Sequence, residues 1–203
     1  MTVDANFNAQ IRHAARQIAC RRQADDQTLA LAGLYDLTAD RLVRFSVSIT
    51  RRQHDAEDAV SAALVKIVAQ PKLLIGADRP WHYLLQMVRN ESLVILRTRS
   101  RWSSIGSLAE RLIGRNNNPV DLRDRNRQVW DAMSDLPAAQ RQVVVLKIWE
   151  QMTFAEIAEV LQITPSTAAS RYRYALEKLA RKLQPAGQEA ADTFDEVGRE
   201  VMQ

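Results

Sequence analysis

Ser166, Thr167, Ser170, Arg171, Arg173 and Tyr174 crowd into one short segment, TPSTAASRYRYALEKLARKL, which opens with Thr164. Arginine can hold a guanine edge through two hydrogen bonds, and serine and threonine suit base edges or phosphate oxygens. That is recognition chemistry rather than bond-making. An enzymatic reading has the least support: no nucleophile–base pair, paired carboxylates or phosphate-cradling loop stands at a workable spacing.

To act together, these side chains must share one face of a rigid element. Ala168, Tyr172, Ala175, Leu176, Leu179 and Leu183 recur at helical spacing and predict an inward stripe. Ser166, Thr167, Ser170, Arg173 and Tyr174 then fall on the opposite face, with Arg171 on its flank. Thr164 is placed to cap this helix, and Pro165 takes its first position, where a missing N–H costs nothing. A shorter helix precedes it. Thr153-x-x-Glu156 is a capping box, followed by apolar Phe154, Ile157, Ala158 and Leu161, with a turn at Gln162-Ile163. Two short helices and a tight turn, the second helix longer and more basic, make the pattern of a helix-turn-helix that reads a DNA major groove. An ordinary helical hairpin with a solvated polar face shares that pattern.

Composition narrows the class. The 203 residues can hold one domain or two small ones. Only 6 Gly and 6 Pro appear, and no stretch alternates apolar and polar residues for long, so an all-α chain is expected. No run approaches the roughly 20 apolar residues of a membrane span, and MTVDANFNAQ lacks a basic-then-apolar signal pattern. Cys20 is the single cysteine, which rules out an internal disulfide, and three scattered histidines form no metal cluster. These features predict a cytoplasmic protein with no metal, no cofactor, no small-molecule substrate and no membrane insertion.

The net charge of +4 is unevenly placed. Arg97, Arg99, Arg101, Arg111, Arg115, Arg123, Arg125 and Arg127 face only Glu110, Asp121 and Asp124 in the same stretch, and arginine without lysine suits phosphate contact. Beyond Pro185 five acids stand against Arg199, which reads as a solvated tail.

The predicted organisation is two small helical domains joined by a flexible linker. Residues 1–27 form an extension with a basic amphipathic stretch, IRHAARQIACRR, suited to a docked helix. Residues 28–100 are a helical region and 101–125 a Gly-, Asn- and Pro-punctuated linker with one helical turn around Leu108–Ile113. Residues 126–184 carry the helix-turn-helix, and 185–203 the acidic tail. In the first region three helices are expected. One covers Thr28–Thr50, with Leu31, Leu34, Tyr35, Leu42 and Phe45 inward. A second opens at Asp55, where DAED puts carboxylates on the first turn, and runs to Pro71. The third spans Pro80–Arg97 with Trp81, Leu84, Leu85, Val88, Leu93 and Leu96 packing, and Gln86, Arg89 and Asn90 on a more polar side.

This arrangement resembles an RNA polymerase sigma factor of the small, two-domain extracytoplasmic-function (ECF) type. DAEDAV at Asp55–Val60 is similar to the start of that family's polymerase-binding helix, and YLLQMVRN at Tyr83–Asn90 to its promoter-melting helix. Leu136-Pro137-x-x-x-Arg141, an apolar helix and the helix-turn-helix resemble its C-terminal domain nearly throughout.

The resemblance implies partners and roles. RNA polymerase core would be bound through Asp55, Glu57, Asp58, Ser61 and Ala62. Promoter DNA would be read as duplex at the minus-thirty-five element by Thr164–Tyr174. It would be held as melted strand at the minus-ten element by Lys72, Asp78, Arg79, Tyr83, Gln86, Arg89, Asn90 and Arg97. An anti-sigma protein is a further implied partner, with 1–27 and 185–203 as candidate contacts. The chain departs from the family in three places: Ser61-Ala62 replace a Gln-acid pair, Val94 an aspartate and Ala169 a basic residue. The promoter sequence is therefore not inherited from relatives. Outside the resemblance, a helix-turn-helix regulator with an N-terminal sensing or dimerisation domain and a helical adaptor stay open.

Overall fold

Arg51 sits in the left-handed region at φ 63° and Arg52 is extended, and these two residues separate the helix that ends at Thr50 from the one that begins at Gln53. The computed structural model describes residues 3–20, 24–105 and 127–183, and Gln151 and Gln162 make left-handed breaks on either side of the helix that begins at Phe154. Every element among the described residues is helical. In chain order they are α1 (Val3–Cys20), α2 (Ala24–Thr50), α3 (Gln53–Ala69), α4 (Lys72–Ile75), α5 (Pro80–Ile105), α6 (Arg127–Ser134), α7 (Ala138–Ile148), α8 (Phe154–Leu161) and α9 (Pro165–Leu183).

Helices α2, α3 and α5 pack together, and α1 lies against α2, α4 and α5. Leu34, Leu42 and Phe45 from α2 meet Val60, Leu64 and Ile67 from α3 and Trp81, Leu84 and Val88 from α5, all buried. Ser46 Oγ and Ser92 Oγ are buried with them 2.8 Å apart, so neither hydroxyl is left unsatisfied. The stretch IRHAARQIAC is helical, with Ile11, Ala15 and Ile18 buried.

Several expected bounds shift. α2 begins at Ala24, four residues early, through ADDQ, which contains no helix breaker. α3 opens at Gln53 rather than Asp55, directly after the Arg51–Arg52 break. The loop Pro71–Arg79 contains the short α4. α5 continues past Arg97 to Ile105 because no Gly or Pro intervenes before Gly106, so residues 101–105 of the expected linker are helical. Tyr35 is 44% exposed, since it lies off the stripe that Leu34, Leu42 and Phe45 define. Leu183 is 51% exposed, as α9 runs beyond the core. The turn at Leu108–Ile113, the arginines at 111, 115, 123 and 125, and the tail 185–203 lie outside the described residues.

The larger surprise is that the two helical units are docked. α2 packs on α7 and α5 on α8, and buried residues of both units form one contiguous apolar cluster. Two arginines knit the seam. Arg141 Nε donates to Ser48 O at 2.6 Å and Nη1 to Leu136 O at 3.2 Å, while Arg51 Nη2 donates to Ser134 O at 2.6 Å. Burial, and secondarily the Arg51 charge, lower the Arg141 pKa to about 10.

Candidate nucleic-acid interface

The helix-turn-helix is built as its residues dictate. Thr153 Oγ1 accepts from Glu156 N at 3.3 Å while Glu156 Oε2 accepts from Thr153 N at 2.8 Å, closing the capping box. Burial alone would raise the Glu156 pKa. Donation by the Thr153 backbone and hydroxyl, with the charges of His82 and Arg79, outweighs burial and holds it below the ordinary value. Gln162 ends α8 in the left-handed conformation at φ 55°, and Ile163 N reaches Ala158 O at 3.1 Å. Thr164 Oγ1 then accepts from Thr167 N at 3.1 Å to start α9.

On α9, Ala168, Ala175 and Leu179 are buried, and Phe154 meets Tyr172 with ring centroids 5.7 Å apart. Burial raises the Tyr172 phenol above its usual pKa. The opposite face is open: Thr164, Ser166, Ser170, Arg173 and Tyr174 are exposed, with Thr167 and Arg171 half-buried at its edge. Arg173 lies 5.1 Å over the Tyr174 ring and 4.0 Å from Glu177, which holds its guanidinium on that face.

The second group of expected DNA residues lies on the loop and α5, and the C-terminal unit covers part of it. Arg79 Nη1 is 3.4 Å from Glu156 Oε1 and 3.4 Å from Glu159 Oε2. Gln86 Nε2 donates to Glu159 O at 2.9 Å, and His82 Nδ1 lies 3.3 Å from Glu159 Oε2. Arg89 is half-buried; burial first, then the Arg171 charge, pull its pKa below the usual value, and its Nε is buried without a partner. Lys72, Asp78, Asn90 and Arg97 are exposed, and Tyr83 is half-buried. Arg79, Gln86 and Arg89 are thus engaged or crowded by the unit that carries the recognition helix.

On α3, Glu57, Asp58 and Ser61 are exposed and Ala62 is half-buried. Asp55 differs from the expected open position: it turns toward α5, where Arg99 Nη1 reaches Asp55 Oδ2 at 3.4 Å. Val65, 65% exposed one turn beyond Ser61, was not anticipated; its apolar side chain on a polar stripe is the signal that could have found it. Glu150 also escaped notice, although an acid after the apolar run VVVLKIW can mark a buried pair. It bonds Arg41 and Arg44. Asn8, Arg12, Glu156 and Glu159, which reach the loop or α5, could not be paired with them from spacing alone. No described helix is long and apolar enough to cross a membrane.

Comparison with known proteins agrees with this layout. Residues 34–101 match the family model for sigma-70 region 2, and residues 126–179 the model for sigma-70, region 4. The chain is also similar to proteins named ECF RNA polymerase sigma factor SigL from three strains of Mycobacterium tuberculosis. Each is 27% identical over 161 residues, covering 77% of this chain and 90% of the relative.

Proposed function

The chain belongs to the sigma-70 family, in its ECF type, and is a sigma factor that directs transcription initiation; on that premise we propose how its residues divide the work. The family implies RNA polymerase core and promoter DNA as partners, and so a place of action in the cytoplasm. Residues 126–184 form the duplex-reading domain, with Thr164, Ser166, Thr167, Ser170, Arg171, Arg173 and Tyr174 facing the minus-thirty-five element. Residues 28–100 form the domain that binds core polymerase and holds the melted minus-ten strand. Glu57, Asp58, Ser61 and Ala62 are its polymerase face, which Val65 extends. Lys72, Asp78, Arg79, Tyr83, Gln86, Arg89, Asn90 and Arg97 are its strand face, and Asp55 acts through its pair with Arg99.

The observation that carries this reading is that one chain has two polar faces of different kinds. The α9 face is convex and exposed, suited to a groove; the α5 face is partly buried and arginine-bearing, suited to a strand. With α8 seated on α5, Arg79, Gln86 and Arg89 are engaged or crowded by the C-terminal unit rather than open to DNA, so the docked form is a closed state. Opening it breaks the contacts of Glu150, Glu156 and Glu159. The like charges of Arg89 and Arg171, brought together by closure, work in the opposite sense. The 21 residues between α5 and α6 would span about 23–28 Å as a flexible chain, enough to let polymerase hold the opened domains on separate elements.

The test is size-exclusion chromatography of the purified chain with bacterial core polymerase, followed by transcription from a promoter that the mixture selects. Co-elution and a specific transcript are expected. A chain that never co-elutes with core would sink this reading.

A further inference from the structure

We propose that helix α1 is a positioning element for promoter melting, with Asn8 and Arg12 setting the loop before α5 and the first turn of that helix. The inference rests on the sigma-factor reading above. α5 opens with Arg79-Pro80: the missing N–H of Pro80 costs nothing at the first position, but Arg79 carries no side-chain acceptor with which to cap the N–H groups that follow. The missing acceptor comes from elsewhere in the chain: Trp81 N donates to Asn8 Oδ1 at 2.9 Å. One turn along α1, Arg12 Nη2 donates to both Ala77 O and Asp78 O at 3.1 Å. A single guanidinium thereby fixes two successive peptide carbonyls of the loop.

The apolar contacts agree with this arrangement. Phe7 meets Trp81 edge-on with centroids 5.0 Å apart, and the Arg41 guanidinium lies 4.2 Å from the Phe7 ring and 4.5 Å from the Trp81 ring. Ile11 is fully buried between Asn8 and Arg12 in sequence, so the two polar side chains are anchored by packing. α1 holds the loop through its backbone. The side chains of Lys72, Asp78 and Arg79 stay exposed. An element that grips carbonyls while its neighbours' side chains face outward sets where those side chains stand without itself meeting the strand. Strand capture is sensitive to such placement, because an unheld loop would have to be ordered at the moment of binding.

The experiment compares the full-length chain with three variants: Asn8→Ala, Asn8→Ala combined with Arg12→Ala, and Asn8→Asp, whose carboxylate can accept the same Trp81 N–H. Each is assayed for co-elution with core polymerase, for binding of a duplex minus-thirty-five element and for permanganate reactivity of minus-ten thymines at a promoter selected by the wild type. Both alanine variants should keep core and duplex binding. The double variant should lose strand opening by roughly thirtyfold or more, the scale of a weak cap and one charge-assisted hydrogen bond lost together. Asn8→Asp should open the promoter better than Asn8→Ala. Opening at wild-type level in the double variant overturns the proposal. So does a parallel fall in core binding, duplex binding and opening, or equal opening by Asn8→Asp and Asn8→Ala. If the wild type itself neither binds core nor opens a promoter, the sigma-factor reading fails first and the inference with it.

Discussion

Arg41 Nε donates to Glu150 Oε2 at 2.8 Å, joining α2 to the segment just beyond α7 across the seam between the two helical units. Arg44 Nη2 adds a longer contact to Glu150 Oε1 at 3.5 Å. The Glu150 side chain is fully buried, whereas those of Arg41 and Arg44 retain 28% and 21% exposure. A carboxylate so placed is tolerable only because its charge is matched. Since Arg41 also stacks on Phe7 and Trp81, one guanidinium touches α1, α5 and the C-terminal unit at once.

Glu150→Gln keeps the shape of this contact and removes its charge. It should destabilise the docked arrangement by about 1–3 kcal/mol, below the figure for a fully buried pair because both arginines remain partly wet. Urea denaturation should show a lower midpoint, and small-angle scattering a larger radius of gyration as the units separate. An unchanged radius together with unchanged stability would mean that the pair does not hold the seam.

Arg173→Ala should weaken binding to the preferred minus-thirty-five duplex by roughly 1–3 kcal/mol and relax selectivity at one base pair, the signature of a base contact. Electrophoretic mobility shifts with the preferred duplex and its single-base variants measure both. A uniform loss across all variants would make Arg173 a phosphate contact instead.

Helices were the most legible part of the chain, because capping and periodicity are local. Thr153, Glu156, Thr164 and Pro165 do in the structure what their spacing predicts. The run of α5 past Arg97 was not foreseen because Arg97 closes only a compositional stretch, and no Gly or Pro stands between it and Ile105 to interrupt the helix. The seam was not legible at all. Glu150 meets Arg41 across 109 residues and Glu159 meets Arg79 across 80, and no local rule pairs residues so far apart. Site residues divide the same way. The α9 face follows from one helix's periodicity, while the covering of Arg79, Gln86 and Arg89 depends on how two units dock.

The capping box should show itself in the pH dependence of stability. Glu156 is held below its ordinary value of 4.5, so its charged form is favoured by folding; the stability it adds is present above that value and is lost as pH falls through the lower folded value. Thr153→Ala should therefore cost about 1 kcal/mol at neutral pH. The gap between Thr153→Ala and wild type should narrow in acid, as a protonated Glu156 no longer rewards its donors. Paired urea titrations at neutral and acid pH read the difference. A gap that stays constant would show that the carboxylate charge plays no part in the cap.

Glu159 offers the cleanest test of the closed state, because unlike Glu156 it takes no part in the capping box. Its carboxylate lies 3.4 Å from Arg79 and 3.3 Å from His82, and both Glu159 and Arg79 are about half exposed. Glu159→Ala removes an internal competitor for Arg79 while leaving the bond from Gln86 to the backbone carbonyl available. The free variant should bind a single-stranded minus-ten oligonucleotide about twofold to fivefold more tightly, the scale of a surface ion pair. If Arg79, with Glu156 still 3.4 Å away, then contacts a phosphate, the dependence of log affinity on log salt should steepen by about 0.7. Fluorescence anisotropy across a salt series measures both quantities. Adding Arg79→Ala should abolish the gain, since the two substitutions act on one contact and their effects cannot add. A gain that survives Arg79→Ala would place the competition elsewhere on the α5–α8 seam.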